Sequence, residues 1–191
     1  MQLILASQSP RRKELMGLFR LPFTVRVSDI DETMDPGKSA EAEVARVSRA
    51  KAETVVREPE DIVIAADTIV VCGGCILGKP KSEAEAAEML RLLSGRSHQV
   101  MTGLTVLRGD KCETSVEITE IRFRPLSDRE ILAYIRTGEP MDKAGAYGIQ
   151  GGAALFAEFI RGDYYNVMGL PVCKLGQVLQ RMAPEIMEES L

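Results

Sequence analysis

The chain has 191 residues, 45% of them hydrophobic and 27% charged, and its 24 basic and 28 acidic side chains leave a net charge of −4 and a pI near 5.2. This length can bury a sizeable core, and the acidic balance argues against a non-specific nucleic-acid or membrane-surface binder, which needs a basic excess. The apolar runs are too short to span a bilayer and the N-terminus lacks a signal peptide's charged flank and apolar length, so the expectation is a cytoplasmic protein whose four cysteines are reduced thiols.

Leu3-Ile-Leu-Ala-Ser-Gln-Ser-Pro-Arg-Arg-Lys13 reads as a strand feeding a helix. Ser9 is a good N-cap and Pro10 suits the first helical position, which sets Arg11, Arg12 and Lys13 against the positive end of the macrodipole. Two readings are open: a basic surface turn, or a helix start whose free N–H groups hold an external anion such as phosphate. Leu15, Leu18 and Phe19 then form one helical face, Phe23–Val27 alternates like a half-buried strand, and Asp29-Ile-Asp31-Glu32 begins an acidic loop. Pro36-Gly37 marks a turn, and Ser39 caps a helix expected from about Ala40 to Arg57. Arg49, Glu53 and Arg57 make an i, i+4 ladder on it, whereas Lys51 falls on the stripe of Val44, Val47 and Val55 with no acid one turn away. Lys51 is either a lysine snorkelling past an apolar rim or an anion ligand.

Asp61–Cys72 reads as a central strand with Asp67 set in its middle, where aspartate is disfavoured. A buried carboxylate needs a metal, a cation or several donors; an arginine partner or a strand bend is the structural alternative. Gly73-Gly74 predicts a two-residue hairpin turn that sets Cys72 opposite Cys75 as flanking residues rather than a redox or zinc pair. Gly78-Lys79-Pro80 places a second lysine in a rigid turn, and Ser82-Glu-Ala-Glu85 is a capping box for a helix ending near Ser94-Gly95. Strands follow over His98–Leu107 and Glu113–Phe123, the second with an interrupted alternation that predicts a bulge. His98, the single histidine, reads as structural. Ser127-Asp-Arg-Glu130 is another capping box, for a helix with Ile131, Tyr134 and Ile135 inward. Asp142–Gly152 is glycine-rich, as where backbone must approach a ligand closely. Phe156–Ile160 reads as a strand, Gly162–Pro171 as a structured loop, and Val172, Leu175, Val178, Leu179 and Met182 as the face of a last helix, with residues 184–191 expected to fray.

Arginines, lysines and a helix N-terminus suit phosphates, and acids unpaired in sequence suit a divalent ion bridging them. The chain has no Walker A, dinucleotide-binding or kinase motif set. The residues alone therefore reach a metal-assisted, phosphate-binding α/β protein, with Glu32 the second candidate metal ligand after Asp67.

Ser7-Gln-Ser-Pro-Arg-Arg12, Ala66-Asp67-Thr68, Gly78-Lys79-Pro80, Lys143-Ala-Gly-Ala-Tyr-Gly-Ile-Gln150-Gly151 and Gly162-Asp-Tyr-Tyr-Asn-Val-Met-Gly-Leu-Pro171 resemble the motifs of the Maf family of nucleotide pyrophosphatases. The resemblance runs from the N-terminus to the terminal helix, and Ile149-Gln150-Gly151 is similar to the dTTP/UTP branch. It implies one domain over residues 1–191 with a mixed α/β fold: an elongated mixed sheet flanked by helices, two lobes around a cleft, similar to inosine-triphosphate pyrophosphatases. It also implies a homodimer that hydrolyses a nucleoside triphosphate between the α and β phosphates with a divalent metal, Mg or Mn. Asp67 is then proton acceptor and metal ligand, and Ser7, Ser9, Arg11, Arg12, Lys51 and Lys79 hold the triphosphate and stabilise the leaving pyrophosphate. Thr68, Arg11 and Gln150 become specificity positions, the Gln150 amide matching the N3–H and O4 of uracil or thymine with one acceptor and one donor. The alternative is a non-catalytic nucleotide-binding regulator of cell division.

Overall fold

The computed structural model describes residues 1–27, 29–35, 37–55 and 57–188. In chain order its elements are β1 (Leu3–Leu5), α1 (Pro10–Gly17), β2 (Thr24–Val25), α2 (Ala40–Thr54), β3 (Ile62–Cys72), β4 (Cys75–Leu77), α3 (Glu83–Leu93), β5 (Ser97–Arg108), β6 (Lys111–Phe123) and α4 (Asp128–Ile135). Three short 3-10 turns over Glu139–Asp142, Ala144–Ala146 and Gly152–Leu155 lead to β7 (Ala157–Arg161), α5 (Tyr164–Met168), α6 (Val172–Met182) and α7 (Pro184–Met187). The strands form a seven-stranded sheet in the order β2-β1-β3-β5-β6-β7, with β4 paired to β3. The sheet is mixed, since β1 pairs parallel to β2 and β3 while β3–β4 and β6–β7 are antiparallel. The α/β class and the helix-flanked mixed sheet are as the sequence predicts.

Two compact units divide the chain, one of Met1–Asp67, Thr102–Glu117 and Gly169–Leu191, the other of Thr68–Met101 and Ile118–Met168. In the first, Ile4, Ala6, Val63, Ala65 and Leu107 of the sheet pack with Ala52 and Val55 of the α2 region. Burying each large aliphatic chain contributes roughly 1.5–3 kcal/mol. Helix α2 lies so close to β5 that a Cβ on Gly103 would fall 2.3 Å from the Val44 carbonyl oxygen. Ser48 Oγ meets Thr105 Oγ1 at 2.9 Å beside it, so the polar atoms of this tight contact are satisfied.

The second unit gathers most of the few aromatics of the chain. Phe123 meets His98, Tyr147 and Phe156 edge to face, and Tyr134 meets Phe156. His98 Nε2 lies 2.8 Å from the Tyr147 hydroxyl, and burial pulls the imidazole down to about 4, so it is a neutral core residue, as the sequence suggested. The Gly73-Gly74 hairpin forms with both glycines at positive φ (57° and 82°) and Cys72 registered against Cys75. Burial raises the Cys72 thiol, which fits an inert side chain rather than a reactive one.

Several local expectations are corrected. Leu18 sits at the C-cap of α1 and is 53% exposed, while Met16 takes the buried place. The strand expected over Phe23–Val27 shrinks to Thr24–Val25, both exposed on the sheet's edge. Helix α2 ends at Thr54, so the ladder reduces to Arg49–Glu53 at 2.7 Å. The Ser82 box is half formed: its hydroxyl accepts from Glu85 N, but the Glu85 carboxylate accepts from Lys81 N. The Ser127 box is complete, and the predicted β6 irregularity appears as a register shift at Arg122/Phe123. The loop expected over Gly162–Pro171 contains α5, whose start is capped by the Asp163 carboxylate accepting from Tyr165 N. Beyond Pro184 the chain is helical to Met187, with Ile186 buried and Glu185 paired to Arg108 at 2.5 Å. Pro36 of the predicted Pro36-Gly37 turn and residues 189–191 of the predicted frayed tail lie outside the described residues.

Because the atoms facing Gly103 are helix backbone, Gly103→Ala should force α2 off the sheet and cost about 1–3 kcal/mol in urea unfolding. A change below about 0.5 kcal/mol would contradict this packing.

Candidate active site

The first unit brings most of the candidate residues together. Ser9 caps α1, accepting from Arg12 N at 3.5 Å with Pro10 in the first turn, and Ser9 N donates to Ser7 Oγ at 3.2 Å. The first turn holds no acid, so its cations find compensation elsewhere. Arg12 Nε donates to the Gly169 carbonyl at 2.7 Å and Nη1 to Ser7 Oγ at 3.2 Å. Burial pulls the Arg12 guanidinium down from its ordinary value; Asp67 is the main charge opposing this, Arg11 adds to it and Glu32 opposes it. Arg12 is therefore a fixed cation among these groups, still charged because a guanidinium does not deprotonate in proteins.

Lys51 is not unpartnered, as its helix neighbours alone would leave it. The stripe position aims it inward, and its ammonium meets Asp67 Oδ1 at 2.7 Å and Glu32 Oε1 at 2.9 Å. Lys51 and Asp67 side chains are only 9% and 10% exposed, whereas Glu32 is 54% exposed, so a nearly buried pair is joined by a partner that faces solvent. Asp67 thus has a cation partner, lysine where the structural alternative supposed arginine, and this does not displace a chemical role. Asp67 and Glu32, facing one ammonium, are hard oxygen donors of the kind Mg and Mn take singly or in pairs, with substrate phosphates and water completing the shell. Among the described residues no group of three or more His, Cys, Asp or Glu could hold an ion alone. The two carboxylates fit such a partial set.

Glu43 and Arg46, neither singled out from the sequence, fix the acidic loop. Glu43 is fully buried and accepts from Asp35 N at 2.8 Å and from Arg46, while Arg46 Nη2 donates to the Thr33 carbonyl at 2.8 Å. Their i, i+3 spacing was a visible signal for the pair; the burial and the loop contacts were not.

Thr68, Lys79 and Gln150 belong to the second unit. Thr68 follows Asp67 in β3 and so points to the opposite face of the strand. Lys79 and Gln150 are exposed, Lys79 just after β4 and Gln150 in a turn closed by Gly151 N donating to the Gly148 carbonyl at 3.1 Å.

A family model described as Maf-like protein matches residues 2–182. Two similar proteins are named dTTP/UTP pyrophosphatase. One, from Halalkalibacterium halodurans, is 52% identical over 179 residues, spanning 93% of this chain and 94% of its own. The other, from Symbiobacterium thermophilum, is 54% identical over 179 residues, spanning 93% and 92%. A solved HAM1 protein from Coxiella burnetii superposes with a TM-score of 0.52 at 16% identity, covering 95% of this chain and 99% of that one, and shares the fold.

The Glu43–Arg46 pair predicts a pH dependence. Hydrogen bonds from Arg46 and then from Asp35 N hold the Glu43 carboxyl at about 2, below its ordinary 4.5. The stability this supplies is present above about pH 4.5 and is lost as pH falls toward 2. Glu43→Gln should therefore be less stable than wild type at pH 7, with a gap that narrows between about pH 5 and pH 3 in urea titrations; a constant gap over that range would refute the assignment.

Proposed function

The chain belongs to the Maf family, and on that premise we propose that it hydrolyses dTTP and UTP to the monophosphate and pyrophosphate, using a divalent cation. The observation that carries the reading is the Lys51 ammonium held between Asp67 and Glu32 in the unit that also presents the capped, acid-free start of α1. It joins a base and cations with a hydroxyl-rich turn at a helix start, the parts that phosphoryl transfer needs. The names of the relatives supply the substrate class.

Water attacks the α-phosphorus, its proton passes to the Asp67 carboxylate, and the bond from that phosphorus to the bridging oxygen breaks, releasing pyrophosphate. Lys51 orients Asp67 through a hydrogen bond of 2.7 Å. The Ser7 and Ser9 turn at the α1 start holds phosphate oxygens. Arg11, Arg12 and Lys79 neutralise charge growing on the leaving group, each such donor being worth roughly 10²–10³ in turnover. A Mg or Mn ion held by Asp67 and Glu32 would supply Lewis-acid charge to the phosphate oxygens. Gln150 reads the pyrimidine edge, with Thr68 and Arg11 as the other specificity positions. The reading includes a cytoplasmic homodimer. Among the described residues no helix is long and apolar enough to cross a membrane, and all four cysteines are free.

A metal-dependent screen of natural and modified nucleoside triphosphates, scored by pyrophosphate release, tests the activity. Asp67→Asn should retain nucleotide binding and lose nearly all turnover; near-normal turnover removes Asp67 from the chemistry. Gln150→Ala should lower dTTP and UTP turnover more than that of purine nucleotides, and an unchanged substrate profile removes the base-reading role.

A further inference from the structure

The glycines around Gln150 face protein rather than open space. A Cβ on Gly151 would lie 2.1 Å from Glu139 Oε1, and one on Gly148 would meet Lys143 Cε at 2.6 Å and Glu139 Oε1 at 2.9 Å. What approaches this backbone is the Glu139 side chain. Its Oε2 accepts from Gly152 N at 3.1 Å, and its Oε1 accepts from the Tyr134 hydroxyl at 2.8 Å. That hydroxyl in turn accepts from Gly148 N at 3.0 Å. Burial raises the Tyr134 phenol well above its ordinary value, so it remains a donor to the carboxylate. Lys143 Nζ donates to the Glu139 carbonyl at 2.7 Å and fixes the start of the same segment.

The turn that carries Gln150 is thus closed on itself by the Gly151–Gly148 hydrogen bond and tied down just before and just after by one carboxylate and one phenol. Gln150 remains exposed at its tip. An exposed glutamine amide can read the edge of a base only if its backbone is held in place, because a displaced Cα carries both the amide donor and the acceptor out of hydrogen-bond reach. We propose that Glu139, through Tyr134, is a positioning residue for base selection: the Glu139–Tyr134 clamp holds the Gly148–Gly151 turn so that Gln150 presents its amide to the base from one fixed backbone. The inference rests on the base-reading role of Gln150.

Steady-state kinetics with dTTP and dCTP test it. Glu139→Ala should raise KM for dTTP and reduce the preference for dTTP over dCTP by about tenfold, the scale of one hydrogen bond, while kcat changes little. Glu139→Gln, which keeps an oxygen for Gly152 N, should restore most of the preference. At Gly151, whose φ of −105° is negative, the atoms nearest an added Cβ are those of the Glu139 carboxylate. Gly151→Ala should therefore reproduce the loss, and should add nothing when combined with Glu139→Ala. It also serves in place of Glu139→Ala if that variant fails to fold. Preference kept in Glu139→Ala and Gly151→Ala but abolished by Gln150→Ala overturns the clamp and leaves base reading intact. Preference kept in Gln150→Ala as well overturns base reading itself.

Discussion

A carboxylate in the middle of an apolar strand must be compensated, and at Asp67 that requirement is met by Lys51. The pair is nearly buried, so removing either partner would strand the other charge in a poorly solvated place, which typically costs about 3–5 kcal/mol. The register of α2 along the sheet follows from it. Lys51 reaches Asp67 only with Val44, Val47 and Ala52 packed inward and Gly103 admitting the helix backbone. The second carboxylate on the same ammonium, Glu32, is half exposed, so the buried pair carries a third charged group that faces solvent.

Within each unit separately, the candidate residues that lie on loops are held there by polar side chains. Gly169 lends its carbonyl to Arg12, Glu43 and Arg46 hold the acidic loop at Asp35 and Thr33, and Glu139 with Tyr134 holds the Gln150 turn. Loops carry variable chemistry well but position it poorly unless a supporting shell removes their freedom. Buried, fully bonded polar groups do this more sharply than apolar packing, because their geometry is directional and the penalty for an unmade bond is high.

The sequence displayed what is local. The capped turn at Ser9, the Gly73-Gly74 hairpin, the Ser127 capping box and the misplaced acid at Asp67 each depend on neighbours within a few residues, and each formed. What it hid depends on long-range pairing. Lys51 looked unpartnered because its carboxylates come from β3 and the acidic loop rather than from its own helix. The glycines near Gln150 suggested a ligand-facing backbone, whereas the group filling their space is Glu139. Val25 and Leu18 were read as inward from alternation and helical spacing, and both proved exposed because one lies on an edge strand and the other at a helix end. Likewise the segment read as a structured loop, Gly162–Pro171, holds α5, which begins at an aspartate cap.

The most direct measurement is product identity. Phosphorus NMR of dTTP consumption by the wild-type protein with Mg should show dTMP and pyrophosphate appearing in equal amounts, as attack at the α-phosphorus requires. Release of dTDP and inorganic phosphate would mean attack at the terminal phosphorus, and would contradict the assignment of the Lys51–Asp67 pair and the α1 start to cleavage between the α and β phosphates.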